Sequence, residues 1–155
     1  MNKEYDVVII GGGPVGSIAS LLLESKGFSV ALVERNTVPY PFPRAIALNG
    51  FSMGLVKELL GPELWNEFEF TPAIHVGYVL NKEKMDEPFG LMQPPVIDGK
   101  ILDNDNFGFV SWFNQPQLER LLRASIDARV GITTFHGHEA LVLWEDGLNF
   151  IKIQE

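Results

Sequence analysis

The sequence Gly-Gly-Gly-Pro-Val-Gly occupies residues 11–16 and directly follows the apolar run Tyr-Asp-Val-Val-Ile-Ile at residues 5–10. β-Branched residues without polar alternation predict that the run is a buried strand of a parallel sheet. The residues after Pro14 have the apolar spacing of a helix. A strand, a glycine-rich turn and a helix in this order are typical of sites that bind the pyrophosphate of a dinucleotide.

Each residue type in the turn has a physical reason to be there. Gly11 can adopt the backbone angles of a tight turn, and Gly13 would let the main chain approach the phosphates without an intervening Cβ. Gly16 would let the helix lie close to the strand. Pro14 and Val15 would begin the helix, whose free amides would face the anion.

A second predicted strand, Ser-Val-Ala-Leu-Val-Glu at residues 29–34, ends in a carboxylate. Glu34 lies about 20 residues after the first glycine, where the hydroxyls of a ribose are expected. The intervening helix would turn Ile18 and residues 21–23 inward and Glu24 and Lys26 outward. A carboxylate disfavours a 2′-phosphate, so the pattern favours FAD or NAD over NADP. Arg35 could reduce this preference, although we expect its side chain to point to solvent.

Composition limits the class of protein. The 155 residues are 46% hydrophobic, which fits a single folded domain over residues 1–155. A net charge of −8 argues against binding to nucleic acid or to an anionic membrane. The absence of cysteine excludes disulfides and thiolate metal sites. No segment has the length of a signal peptide or a membrane span, so a cytoplasmic location is expected.

The segment after the second strand introduces a candidate arginine. Prolines make residues 36–43 an irregular loop, and a helix is predicted over residues 50–60, capped by Asn49 and stopped by the Gly-Pro at 61–62. Arg44 would therefore lie at a junction between loop and helix. From there its guanidinium could pair with pyrophosphate oxygens or remain solvated.

The remaining chain predicts a sheet segment, a helix and a hairpin. The best helix covers residues 115–128, with Leu118, Leu121, Leu122 and Ile126 on one face. The other predicted elements are a short helix at 63–70, strands at 73–80 and 107–113, a polar turn at 81–86, a proline-containing stretch at 93–95, a hairpin turn at 98–99, a strand at 132–136, and a hairpin over 138–153 with its turn at 146–147.

Four motifs together resemble the flavin-dependent aromatic-ring hydroxylases. They are the glycine turn, Val-Glu-Arg at 33–35, Pro-Arg-Ala-Ile-Ala-Leu at 43–48 and Asn-Gln-Pro-Gln-Leu-Glu at 114–119. The pattern is similar to para-hydroxybenzoate hydroxylase and is closest to hydroxylases of 3-(3-hydroxyphenyl)propionate, phenols and polyketides. The resemblance covers only the amino-terminal portion of such proteins. It implies an α/β fold: a Rossmann-like βαβ unit with a parallel sheet, an inserted β segment and a C-terminal β-hairpin.

The resemblance also implies roles for single residues. Gly11, Gly13 and Gly16, with Pro14 and Val15, would hold the FAD pyrophosphate, and Glu34, beside Arg35, would accept the ribose hydroxyls. Arg44 and Gln115 would contact FAD, although Gln115 could instead cap its helix. Residues 63–113 would form part of the sheet over a substrate pocket, with Phe107, Phe109, Trp112 and Phe113 mainly in the core. The family uses NADPH or NADH, oxygen and an aromatic substrate.

Two family motifs are missing from the sequence. The Asp-Gly and Gly-Asp segments that complete FAD binding in the family are not found in this sequence. Asp146-Gly147 is not the first of them, because its position between two alternating segments predicts a hairpin turn. We therefore expect a fragment, a truncated reading frame, or a domain that needs a partner chain or self-association through an open sheet edge. On its own the chain is expected to be inactive. Two alternatives stay open: a non-catalytic dinucleotide-binding or interaction module, and an NAD-binding domain.

Other candidate sites have weak patterns. His136 and His138 would face one side of a strand, yet no third metal ligand follows, and His75 has no partner. The acidic stretch at 103–108 places Phe107 where a calcium loop needs oxygen. Ser17 and Ser111 have no base at a suitable spacing. The sequence therefore predicts no metal site and no catalytic acid, base or nucleophile.

Overall fold

The computed structural model describes residues 4–42, 44–73, 76–78, 90–92, 96–97, 100–101, 110–145 and 148–154. The chain divides into two compact units. Unit 1 comprises Met1–Pro43 and Gln115–Glu155, and unit 2 comprises Arg44–Asn114. Among the described residues, no helix is long and apolar enough to cross a membrane.

A parallel sheet forms the centre of unit 1. Its strands are β1 (Val7–Ile10), β2 (Val30–Glu34) and β10 (Ile132–His136), in the order β1-β2-β10. Val7 pairs with Val30, and Val30 also pairs with Ile132. The first four residues of β2 are fully buried because the strand has a neighbour on both sides. The predicted α/β fold with a βαβ unit is confirmed, and β1 and β2 begin one or two residues later than expected.

Two helices of unit 1 pack against each other. They are α1 (Pro14–Ser25) and α3 (Gln115–Asp127). The four apolar residues predicted on one face of α3 are all buried, as expected. In α1 the prediction was wrong in part: the buried residues are Ser17, Ser20 and Leu21, whereas Ile18, Leu22 and Leu23 are only half-buried. Small residues let this helix approach the sheet more closely than leucines would.

The predicted C-terminal hairpin is confirmed. Strands β11 (Glu139–Glu145) and β12 (Leu148–Gln154) pair antiparallel, with Glu145 opposite Leu148. This register leaves two residues between the strands, as expected for the Asp146-Gly147 turn, which itself lies outside the described residues.

The described residues of unit 2 include a three-stranded antiparallel sheet and one helix. The strands β3 (Ala47–Asn49), β9 (Val110–Phe113) and β4 (Phe70–Ala73) lie in the order β3-β9-β4. The sequence did not predict β3, because three residues are too few for a periodic pattern to register. Arg44 therefore precedes a strand and does not lie directly at a helix junction.

Helix α2 (Gly50–Trp65) begins as predicted and ends later. The side chain of Asn49 accepts a hydrogen bond from the amide of Ser52 at 2.8 Å, which confirms the N-cap. At Gly61 the backbone leaves helical geometry with φ 70° and ψ 172°, and Pro62 follows, so the expected stop is a kink. The short helix predicted over 63–70 is confirmed only at its start: the helical segment after the kink ends at Trp65, and β4 begins at Phe70.

Four short strands complete the described part of unit 2. They are β5 (Val76–Tyr78), β6 (Gly90–Met92), β7 (Val96–Ile97) and β8 (Lys100–Ile101). β5 pairs with β6, and β7 pairs with β8 around the predicted turn at 98–99. The predicted strand over 73–80 is divided between β4 and β5. The predictions at 74–75, 79–86, 93–95, 98–99 and 102–109 lie outside the described residues.

In the described part of unit 2, the core combines buried aliphatic side chains of α2 with one buried aromatic ring, that of Phe68. Phe68 lies 5.7 Å from Trp65, 5.8 Å from Phe70 and 6.2 Å from Phe113, measured between ring centroids. Trp112 is 42% exposed, so the expectation that it belongs to the core is wrong. Adjacent residues of a strand point to opposite faces of the sheet. The side chain of Phe113 points to the inner face, beside Phe68, and that of Trp112 points to the outer face.

Candidate functional site

The turn after β1 is built around glycine. Gly11 has φ +105°, a conformation that side chains rarely adopt, and its amide donates to the carbonyl of Val33 at 2.8 Å. A Cβ on Gly16 would collide with the carbonyl oxygen of Gly11 and lie 3.3 Å from the side chain of Ile9. The helix therefore begins in direct contact with the strand, as expected from glycine at these two positions.

Open space lies over the same turn. A Cβ placed on Gly13 would meet no atom within 4 Å, and neither would one on Gly11. Gly13 has φ −73° and ψ −175°, which any residue can adopt. Packing therefore does not explain why position 13 lacks a side chain. The main chain at Gly13 is therefore open to the approach of a ligand.

The first turn of α1 presents unpaired donors. Pro14 is at the first helical position, and the helix has no side-chain cap. In the described part of the chain, no hydrogen bond engages the amides of Gly13, Val15 and Gly16. Val15 is 84% exposed. Amides at a helix start attract anions, so the turn has the donors and the space that a pyrophosphate requires.

The carboxylate of Glu34 lies at this turn. Its Oε2 accepts a hydrogen bond from the amide of Gly12 at 2.7 Å. Its Oε1 accepts from the amide of Asn36 at 2.8 Å and from the Asn36 side-chain amide at 2.7 Å. Glu34 is thus directed to the glycine turn, and not away from it.

Glu34 is held in its charged form. Burial raises the pKa of Glu34, but hydrogen bonds from Asn36 and Gly12, together with the positive charge of Arg123, outweigh burial and leave the pKa below its usual value. An ionised carboxylate accepts hydroxyl hydrogen bonds and repels a phosphate. The site is therefore suited to a sugar hydroxyl.

Sequence reasoning missed Gly12 and Asn36. A Cβ on Gly12 would lie 2.9 Å from the Cβ of Glu34, so this glycine is needed for the carboxylate to reach the turn. Asn36 was assigned to an irregular loop with no further role. A carboxylate at a strand end followed two residues later by asparagine was the available signal, because the side-chain amide of asparagine has two donors that a nearby carboxylate can accept.

The end of β10 also contacts the end of β2. His136 pairs with Glu34 across the sheet, and the amide of His138 donates to the carbonyl of Glu34 at 3.2 Å. Gly137 has φ +77°, so the chain turns sharply between the two histidines. The expectation that His136 and His138 face one side of a strand is wrong, because the strand ends at His136.

Arg123 of α3 is anchored beside these residues. Its Nη1 donates to the carbonyl of Thr37 at 2.9 Å, and its Nε is buried with no hydrogen-bond partner among the described residues. Burial and the charge of Arg123 together lower the pKa of His136, against the opposing charges of Asp127 and Glu34. In the part of the chain that the structure describes, the Nδ1 of His136 is likewise buried without a hydrogen-bond partner. The loop after Glu34 is therefore fixed to α3.

The other predicted contact residues lie in different places. Arg35 is exposed, as expected. Arg44 is exposed and belongs to unit 2. Gln115 opens α3 as predicted, but it is buried, and its Nε2 donates to the Oε1 of Glu119 at 2.6 Å. Contacts of these three residues with FAD stay predictions.

The weak candidates acquire no catalytic geometry. Ser17 is buried and donates from its hydroxyl to the carbonyl of Gly12 at 3.2 Å, and Ser111 is buried in β9. Among the described residues, no group of three or more histidines or carboxylates could hold a metal ion. His75 and residues 103–108 lie outside the described residues.

Comparison with known proteins identifies the kind of domain. A family model described as an FAD binding domain matches residues 4–150. Pentachlorophenol 4-monooxygenase from Sphingobium chlorophenolicum is 26% identical over 140 residues, which cover 90% of this chain and 24% of that protein. Digeranylgeranylglycerophospholipid reductase from Methanospirillum hungatei is 33% identical over 110 residues, covering 68% of this chain and 26% of the reductase.

A solved structure shares the fold. The crystal structure of p-nitrophenol 4-monooxygenase from Pseudomonas putida matches with a TM-score of 0.72 at 18% identity, over 99% of this chain and 37% of that chain. This chain therefore spans about a quarter of the length of these curated relatives and about a third of the solved structure.

Proposed function

Because this chain belongs to the family of FAD binding domains, in the group of flavoprotein aromatic hydroxylases, we propose that it is the FAD-binding part of a flavin-dependent monooxygenase. The complete protein would hydroxylate an aromatic compound with oxygen and NADH or NADPH. The single observation that carries the proposal is the open glycine turn with the Glu34 carboxylate held at its edge.

The residues present fit the cofactor. The amides of Gly13, Val15 and Gly16 would bind the pyrophosphate, and Glu34 would accept hydrogen bonds from the adenosine ribose. When bound, FAD supplies the redox chemistry that delivers one oxygen atom to the ring. The chain itself would orient the cofactor. No side chain described in unit 1 is proposed as a catalytic acid or base.

The substrate class is proposed from two relatives named for phenols. The pentachlorophenol and p-nitrophenol monooxygenases both act, by name, on substituted phenols. We extend this class to the complete protein that contains this chain. The reductase relative supports a second candidate, the FAD-binding part of a flavoprotein reductase, since it is 33% identical.

A binding titration tests the proposal. We expect purified chain to bind FAD, with quenching of flavin fluorescence, and to bind NAD much more weakly. NAD affinity without FAD affinity would favour the NAD-binding alternative. In the complete protein, oxidation of NADH or NADPH that depends on an added phenol would support the monooxygenase. Oxidation that phenols do not stimulate would favour the reductase.

A further inference from the structure

Asn36 makes two hydrogen bonds to one oxygen of Glu34. The backbone amide and the side-chain amide of Asn36 both donate to Oε1, at 2.8 and 2.7 Å. Asn36 is exposed and lies in the loop after β2, and in the described part of the chain its side chain bonds to Glu34. The contact with Glu34 is therefore the structural reason for this residue type.

The hydrogen bonds from the chain use most of the acceptor capacity of the carboxylate. A carboxylate has about four lone-pair positions, and the two Asn36 donors occupy those of Oε1. The amide of Gly12 occupies one position of Oε2 at 2.7 Å. Counting the contacts of the described residues, the acceptor position that remains is on Oε2, beside the glycine turn.

The backbone of the loop is anchored independently of the Asn36 side chain. Arg123 donates to the carbonyl of Thr37 at 2.9 Å, and His138 donates to the carbonyl of Glu34. Replacing Asn36 by another non-proline residue keeps its backbone amide. The side-chain bond can therefore be removed without releasing the loop.

We propose that Asn36 is a positioning residue that orients the Glu34 carboxylate toward the ribose of the bound dinucleotide. The inference rests on the proposed function. Asn36 need not touch the ligand. Its side chain keeps Glu34 in one orientation, so that a ribose hydroxyl meets an acceptor that is already in place.

The test compares nucleotides that differ only in the ribose. ADP, 2′-deoxy-ADP and 3′-deoxy-ADP are titrated calorimetrically into the wild-type chain and into the Asn36→Ala variant. For the wild type, we expect at least one deoxy analogue to bind about tenfold more weakly than ADP. For Asn36→Ala, we expect this ratio to fall to about threefold or less. A purely structural role would weaken all three nucleotides equally.

Two further variants sharpen the test. Asn36→Asp keeps the size of the side chain but replaces the donor by a negative charge facing Glu34, and we expect it to lose the discrimination completely. Asn66→Ala removes an exposed asparagine of unit 2 and is the matched control, which should discriminate as the wild type does. Thermal unfolding should show similar stability for Asn36→Ala and the wild type.

The outcomes separate this inference from the proposed function. An unchanged ratio in Asn36→Ala, with a ribose preference in the wild type, would overturn the role of Asn36 alone. Equal binding of all three nucleotides to the wild type would remove the ribose role of Glu34 and this inference with it. Absence of both ADP and FAD binding in the wild type would contradict the proposed function itself.

Discussion

Gly13 and Gly16 lack a side chain for different reasons. At Gly13 an added Cβ would meet open space, whereas at Gly16 it would collide with the backbone of Gly11. We therefore expect Gly13→Ala to leave the free energy of unfolding within about 0.5 kcal/mol of wild type. In the complex, the added methyl would press against the bound pyrophosphate. Such a close contact costs about 1–3 kcal/mol of binding free energy, so FAD affinity should fall about 5- to 150-fold.

Gly16→Ala is the contrasting variant. Its Cβ must displace the turn, so we expect the protein to lose stability as well as FAD affinity. Urea unfolding and flavin fluorescence quenching, measured on both variants, distinguish the two effects. Unchanged FAD affinity in a folded Gly13→Ala protein would show that the open space is not the pyrophosphate site.

Glu34 is the residue expected to recognise the ribose. A hydrogen bond to a charged group contributes about 1.5–3 kcal/mol, so Glu34→Gln should weaken FAD binding about 10- to 150-fold. Glu63→Gln, which neutralises an exposed glutamate of unit 2, is the control and should bind FAD normally. Equal affinities of the two variants, measured by fluorescence quenching, would refute the role of Glu34.

For single residues, the sequence predicted that Glu34 ends a strand but not which hydrogen bonds hold its side chain. The position of Glu34 at the end of a strand follows from the spacing of the motif. Its bonds to Gly12 and Asn36 depend on which way a side chain turns at a strand end, and no periodic pattern specifies that direction. Arg44 belongs to unit 2, and its contact with FAD remains a prediction.

Helix α3 shows how burial determines the stability of an element. Leu122 is fully buried in it, whereas Arg120 on the same helix is exposed. We expect Leu122→Ala to cost about 2–5 kcal/mol of unfolding free energy, because the deletion removes apolar contacts and leaves a cavity. Arg120→Ala should change stability by no more than about 0.5 kcal/mol. Similar urea midpoints for the two variants would contradict this assignment of the helix face.

Elements with strong periodicity were predicted well, and short or mixed ones were not. Helix α3 and the β11–β12 hairpin have long, regular patterns, and both are confirmed. The three residues of β3 are too few to show a pattern. In α1 two serines are buried beside Leu21, whereas Ile18, Leu22 and Leu23 are only half-buried, because close approach to the sheet favours small residues. Composition alone could not show that preference.

The molecule as a whole should be less stable in acid. Burial and the charge of Arg123 lower the pKa of His136. Below the ordinary histidine pKa of about 6.5, His136 binds a proton in the unfolded chain but not in the folded one. The free energy of unfolding therefore decreases as the pH falls, until the pH reaches the lowered pKa of folded His136. Glu34, whose pKa is also lowered, adds a separate loss at lower pH, where the folded carboxylate is protonated.

The two contributions can be separated by one substitution. His136→Gln stays neutral, so the loss of stability between about pH 7 and pH 5.5 should become smaller, while the loss at lower pH remains. Urea unfolding at several pH values measures both. If wild type and His136→Gln lose the same stability over the upper range, His136 is not responsible.

The pairing of β2 with β10 has a consequence for synthesis of the protein in the cell. These neighbouring strands are separated by about 100 residues, all of which must be translated before β10 can pair. At about 5–20 residues per second, the apolar β2 emerges from the ribosome about 5–20 s before its second partner. During that interval the nascent chain exposes an edge that invites aggregation, so slowed elongation or loss of chaperones should lower the yield of native protein.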